Sequence, residues 1–282
     1  MPKCAGTAIR WWLYRAFPGG FGSWYPPYVF DERTLEAAGL RNTGLRAFST
    51  HWIRKFPQII CGRRMRYFTL LRDPAQHVIS WVRYYYQVHD AVAEANQAAA
   101  AVSTGEANRA AATTSTRDLV QRLLDGPADD PFRENMQTNY FALYAWCELE
   151  LKQRGCHPET YHLWPEDTLS AYRRERLDLA KEILRSFIAV GTVERVIDTL
   201  DVLRDRANLL GFNLCDSQEL TFENVTSMQV IKDTGWIGEH DPVGRRFLES
   251  IADDTSLYAF AREQLERGLR KRQMRGPSIL RA

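Results

Sequence analysis

The 282-residue sequence has no long apolar run: the longest uninterrupted stretch, Tyr140 to Cys147, is eight residues, against the roughly 18 to 20 that a membrane-spanning helix needs. No transmembrane segment is expected. There is almost no excess of charge either, with 37 Lys+Arg against 35 Asp+Glu. A general nucleic-acid binder, which relies on a strongly basic face to neutralise phosphates, is therefore excluded. Only six of the basic residues are lysine, so the position of each carries information. Cysteine is scarce and odd in number: Cys4, Cys61, Cys147, Cys156 and Cys215 show no CxxC or Cys/His spacing. That argues against a disulfide scaffold and a structural zinc site, and it favours a reducing compartment. The first residues lack the charged and apolar regions of a secretory leader. A cytoplasmic location is expected, with the Golgi lumen as the alternative if an N-terminal anchor has been removed. No internal repeat or linker divides the chain, so residues 1–282 read as a single domain.

What is present is a succession of short strands and amphipathic helices. Thr7 to Phe17 has a helical pattern that Pro18-Gly19-Gly20 stops. Leu45 to Ser49 and Arg66 to Leu71 read as strands, and the second runs into Arg72-Asp73-Pro74, where Asp73 caps a helix with Pro74 at its first position. That helix is expected to reach about His89 and to bury Val78, Trp81, Val82 and Tyr85, leaving Gln76, Ser80, Arg83 and Gln87 on its polar face. From Ala91 to Thr114, 11 of 24 residues are alanine, which reads as a mobile insertion or lid. Helices are expected near Arg117–Leu124, Asn135–Trp146 and Leu169–Phe187. A strand over Phe187–Val190 then passes through Gly191-Thr192 into a helix from Glu194 to Leu210, and the chain closes on a helix with a basic tail, Arg267 to Ala282. Strand alternating with helix makes this an α/β protein, with a central parallel β-sheet flanked by helices.

Two segments carry the chemistry. In Pro2-Lys3-Cys4-Ala5-Gly6-Thr7-Ala8, small residues and a glycine lead into a helix, whose first N–H groups favour an anion. The loop is not a Walker A motif, because the lysine precedes the glycine and no metal-binding hydroxyl follows a lysine. Its bland alternative is a plain turn before an amphipathic helix. The second segment is Leu71-Arg72-Asp73-Pro74 with Ser80 six residues after the proline. An arginine at the carboxyl end of a strand and a serine on the next helix's polar face suit one terminal phosphate in the crevice where open α/β sheets bind ligands. Taken alone, Arg72 has an alternative partner in Asp73 or another carboxylate.

Together, PKCAGT and LRDPxxxxxS resemble the two cofactor-binding signatures of sulfotransferases that use 3′-phosphoadenosine 5′-phosphosulfate (PAPS), especially the carbohydrate sulfotransferase branch. Supporting matches follow in chain order: Ser49-Thr50-His51, Asn135-Met136-Gln137, Val190-Gly191-Thr192-Val193-Glu194 and Glu223-Asn224-Val225. The resemblance covers about residues 2 to 230 and implies a P-loop-like sulfotransferase fold. It implies that Lys3, Cys4, Ala5, Gly6, Thr7 and Ala8 hold the 5′-phosphosulfate, and that Arg72 and Ser80 hold the 3′-phosphate. One departure is visible. In the family the loop follows a strand, whereas only Met1 stands before Pro2 here, so the expectation is a strand outside this sequence or a sheet built without it.

Sulfuryl transfer requires an acceptor oxygen to lose a proton as it attacks sulfur, and a histidine titrating near neutrality suits that task. His51, after a strand and before Trp52, is the candidate base; its alternative is a structural histidine. Lys3 is the candidate for stabilising charge on the departing bridging oxygen. A sulfuryl group carries less charge than a phosphoryl group, so no metal is expected. A carbohydrate hydroxyl is the expected acceptor. The competing readings are a P-loop nucleotide phosphotransferase and a non-catalytic adenine-nucleotide-binding module. Trp24-Tyr25-Pro26-Pro27-Tyr28 and Trp52 suit stacking on an acceptor ring but equally suit packing. The basic tail suits a polyanion but equally a solvated end.

Overall fold

A computed structural model describes residues 6–23, 36–37, 43–49, 56, 59–60, 62–86, 114–126, 133–154, 158–212, 214 and 234–275. Helix α1 (Gly6–Ala16) is followed by strands β1 (Phe21–Ser23), β2 (Ala47–Ser49), β3 (Ile59–Ile60), β4 (Arg63–Arg64) and β5 (Phe68–Leu71). Helix α2 is described over residues 74–86. Then come α3 (Thr116–Asp125), α4 (Met136–Arg154), a 3₁₀ segment (Pro158–Leu163), α5 (Glu166–Arg185) and β6 (Ala189–Thr192). A 3₁₀ turn (Val193–Arg195), α6 (Val196–Asn208), α7 (Pro242–Ser250) and α8 (Ala252–Arg275) complete the order. The chain is α/β and mostly helical. Among the described residues no helix is long and apolar enough to cross a membrane.

Among the described residues the strands form three two-stranded sheets: β1 with β2 and β5 with β6, both parallel, and β3 with β4, antiparallel. Among the described residues the parallel strands form two separate pairs and not the expected central sheet. In the β5–β6 pair Phe68 stands opposite Ala189, Thr69 opposite Val190, Leu70 opposite Gly191 and Leu71 opposite Thr192. Alternation along a strand sends successive side chains to opposite faces. Accordingly Leu70 and Ala189 pack with Ile9 and Trp12 of α1 and Leu200 and Leu203 of α6. Leu71 and Val190 pack on the other face with Phe141 of α4, Tyr172 of α5 and Leu257 of α8. Both faces of this pair are covered, which explains why its strands are apolar at consecutive positions. A third cluster joins Val78, Ile79 and Val82 of α2 to α3 and α7.

Several expectations need correction. Strand β6 lies two residues later than expected, so Gly191 is in the strand and not in the turn after it. The reason is packing: a Cβ at Gly191 would lie 1.9 Å from Thr199 Oγ1 of α6, so glycine lets the helix approach. The buried face of α2 includes His77 and Ile79, while Tyr85 is exposed, because the third apolar cluster meets the helix one residue round from the expected stripe. Helix α7 replaces an unassigned stretch; the Asp241 carboxylate accepts from the Val243 and Gly244 N–H groups, with Pro242 at the first position. The basic segment from Arg267 to Arg275 is the end of α8, with Arg272 paired to Asp201 and Asp205 of α6 at 2.6 and 3.0 Å. The alanine-rich segment, residues 91–113, and the end of the tail, residues 276–282, lie outside the described residues.

Candidate functional site

The turn after β5 forms as its residues dictate. Asp73 Oδ1 accepts from Gln76 N–H at 3.0 Å, and Asp73 C=O accepts from His77 N–H at 2.8 Å. An N-cap carboxylate followed by proline needs nothing from elsewhere to start a helix. Position, by contrast, is imposed by distant residues. Arg72 N–H donates to Gln137 Oε1 at 3.1 Å, and Gln137 Nε2 donates back to Arg72 C=O at 2.9 Å. One step on, Asp73 N–H donates to Glu194 Oε1 at 3.1 Å, and the second oxygen of Glu194 accepts from Tyr258 O–H at 2.8 Å. Three successive polar groups of the Arg72-Asp73 backbone are therefore held by side chains from α4 and from the turn after β6.

Those side chains are themselves fixed. Asn135, just before α4, has a φ of 45°, the left-handed region that asparagine tolerates better than most residues. Its Oδ1 accepts from Asp253 and Asp254 N–H at the start of α8, at 2.8 and 3.1 Å. In return the Asp254 carboxylate accepts from Gln137 and Thr138 N–H at the start of α4, at 2.9 and 2.7 Å. Each helix thus caps the other. Asp254 is fully buried, and that burial pushes its carboxyl up to about 6 against the pull of the two backbone donors. Nearby, the Arg176 guanidinium is almost wholly buried and pairs with Asp253 at 2.7 Å and Glu134 at 3.2 Å. Tyr258 is raised above the ordinary phenol range, first by burial and then by the Glu194 carboxylate. It stays a hydrogen-bond donor over the whole physiological range.

Of the expected site residues, the structure describes three of the first segment, Gly6, Thr7 and Ala8, and both of the second, Arg72 and Ser80. Gly6, Thr7 and Ala8 form the first turn of α1. One turn further, Ile9 packs in the same cluster as Leu70, two residues before Arg72. Ser80 is on α2, about 9 Å along the helix from its first residue at 1.5 Å per residue, and is half-buried. Lys3, Cys4, Ala5 and His51 lie outside the described residues, as does Thr50; Ser49, which ends β2, is described. Among the described residues no group of three or more His, Cys, Asp or Glu is placed to hold a metal ion.

Sequence reasoning noted Gln137 and Glu194 only as members of supporting motifs and did not give them the clamping role that the geometry does. Tyr258 was not singled out, and one tyrosine on a long charged helix offers no local signal. What the arrangement does chemically is to present a preset turn, with an arginine at its head, at the carboxyl end of a strand covered on both faces. No protein-family model, curated protein or solved structure matches the chain.

Proposed function

We propose that this chain is a PAPS-dependent sulfotransferase that moves a sulfuryl group to an acceptor hydroxyl, with carbohydrate as the acceptor class. The observation that carries the reading is the clamped Arg72 turn: Gln137 and Glu194 fix the backbone on which Arg72 stands, at the strand end where α/β folds bind nucleotides. An arginine whose backbone is preset loses less freedom on gripping a phosphate than one on an unfixed loop. In this reading Arg72 and Ser80 hold the 3′-phosphate, and the loop from Lys3 to Ala8 holds the phosphosulfate. The sheet is P-loop-like and its two parallel pairs belong to one layer.

The chemistry assigned to these residues balances simply. The acceptor oxygen forms a bond to sulfur while the bond from sulfur to the bridging oxygen of PAPS breaks. The hydroxyl proton passes to His51, and the charge that grows on the departing bisphosphate is stabilised by Lys3. The products are a sulfate ester and 3′-phosphoadenosine 5′-phosphate. No step requires a metal ion.

Cofactor choice tests the reading. The bisphosphate, in the absence of magnesium, is expected to raise the melting temperature. At a hundredfold excess over its Kd the gain is about 2.7 kcal/mol, or roughly 5–10 °C for a chain of this size. Stabilisation by ATP with magnesium, and none by the bisphosphate, would replace the sulfotransferase with a phosphotransferase.

A further inference from the structure

Asp254 and Tyr258 stand four positions apart on α8 and therefore on one face of it, about 6 Å apart along the axis at 1.5 Å per residue. Each reaches the Arg72-Asp73 turn through one intermediary. Asp254 Oδ2 accepts from Gln137 N–H at 2.9 Å, and the Gln137 side chain holds both polar backbone groups of Arg72. Tyr258 donates to one oxygen of Glu194 at 2.8 Å, and the other oxygen accepts from Asp73 N–H. Successive residues of the turn are thus tied to successive turns of one helix. That helix is itself fixed: Leu257, Ala261 and Leu265 are fully buried, and Glu266 pairs with Arg195, the neighbour of Glu194. The ionised form of Asp254 is needed for its part of this arrangement. Its two oxygens each serve one N–H, Oδ2 that of Gln137 and Oδ1 that of Thr138, so a proton on either oxygen would set donor against donor.

We propose that Asp254 and Tyr258 are positioning residues for the anion-binding turn: through Gln137 and Glu194, one face of α8 sets the place of Arg72 and Asp73. The inference rests on the reading of Arg72 as a phosphate ligand and adds what fixes its position. It also makes one of the two arms depend on pH. Burial raises the Asp254 carboxyl to about 6, opposed by the Gln137 and Thr138 N–H groups, the Thr138 hydroxyl and the charge of Arg176. Arg176 is the charged group facing it from α5, and it is shared with Asp253 of α8 and with Glu134 ahead of α4. The first turn of α4 carries no acidic side chain. The Asp254 arm is therefore intact above pH 6 and lost below it. Tyr258 is raised above the ordinary phenol range by burial and by Glu194, so its arm does not change over the same interval.

Amide exchange, followed by NMR on the full chain without ligand, reads the two arms separately. Asp254→Asn is expected to speed exchange at Arg72 N–H at least about tenfold, and Tyr258→Phe to do the same at Asp73 N–H. Leu119 N–H, bonded to Ser115 C=O at the start of α3, is the reference and is expected to stay unchanged. The Kd for 3′-phosphoadenosine 5′-phosphate is then measured across pH 6 as a ratio of variant to wild type, in which the titrations of the ligand and of the buried His77 on α2 cancel. Well above pH 6 the ratio is expected to be about ten for each variant. As pH falls through 6 it returns to one for Asp254→Asn, because the wild type is then protonated too, and stays constant for Tyr258→Phe. Should Asp254→Asn fail to fold, the wild-type exchange rate at Arg72 relative to Leu119 reads the same arm and is expected to rise about tenfold below pH 6. Equal acceleration at all three amides, as a purely structural role would give, overturns the proposal; so does a wild-type Arg72 to Leu119 ratio, or an Asp254→Asn affinity ratio, that is flat across pH 6. A chain that shows the expected exchange pattern yet binds no bisphosphate upholds the positioning by α8 and removes the sulfotransferase reading.

Discussion

Replacing Gln137 with methionine keeps the length and most of the volume of the side chain but removes both its hydrogen bonds to Arg72. Gln137 is fully buried on the first turn of α4, so water cannot substitute for it at that site. The change leaves Arg72 N–H and C=O, partners at 3.1 and 2.9 Å, without their acceptor and donor. A buried polar group deprived of its partner costs about 1–3 kcal/mol. Two such groups in a partly buried turn sum to about 2–4 kcal/mol, with a small offset from the apolar methionine. Urea unfolding of wild type and Gln137→Met is expected to show that loss as a shift in midpoint at constant slope, and the melting temperature is expected to fall by roughly 4–12 °C. Under the proposed function, affinity for 3′-phosphoadenosine 5′-phosphate weakens as well, because Arg72 stands on the released turn. A stability change below about 0.5 kcal/mol, the range of ordinary surface substitutions, would refute the claim that Gln137 holds the turn.

Gly191→Ala places a methyl 1.9 Å from Thr199 Oγ1 and is expected to cost about 1–3 kcal/mol through overpacking; adding Thr199→Ala should recover most of that loss in the same denaturation assay. Burial raises Asp254 to about 6, above its unfolded value of about 3.9, so the folded state binds its proton more tightly. The resulting stability is fully present below pH 4 and is lost as pH rises through 6, about 3 kcal/mol in all. The difference in stability between wild type and Asp254→Asn should therefore fall across that window, and a flat difference would contradict the assignment. Kinetically, Lys3→Ala is expected to lower turnover by orders of magnitude, whereas Arg72→Ala acts mainly through cofactor affinity. His51→Ala should bind the bisphosphate as wild type does, lose about a hundredfold to ten-thousandfold in transfer, and lose the neutral limb of the pH profile; an active variant with that limb intact would remove His51 as the base.

Legibility in the sequence followed the range of the interaction. The β5 turn and α2 were readable because an Asp cap and a Pro at the next position act within one helical turn. The same Asp-Pro signature at Asp241-Pro242 opens α7. The Asn135–Asp254 exchange of caps was not readable at all: its partners lie 116 to 119 residues apart, and neither segment alone specifies the other. Gly191 illustrates a subtler limit. A glycine after an apolar run reads as a turn, yet here it is a strand residue whose missing Cβ makes room for Thr199. At the candidate site, Arg72 was legible from its motif, while the groups that fix it, Gln137, Glu194 and Tyr258, are assembled by tertiary structure.

The most direct measurement of the central claim is transfer itself: the chain is incubated with PAPS labelled in its sulfuryl group and a panel of carbohydrate, phenolic and lipid alcohols, without added metal. The account predicts label in a sulfate ester of a carbohydrate acceptor, with one equivalent of 3′-phosphoadenosine 5′-phosphate released for each ester formed, and loss of that transfer in Lys3→Ala. Absence of label from every acceptor, combined with magnesium-dependent phosphoryl transfer from ATP, would contradict it.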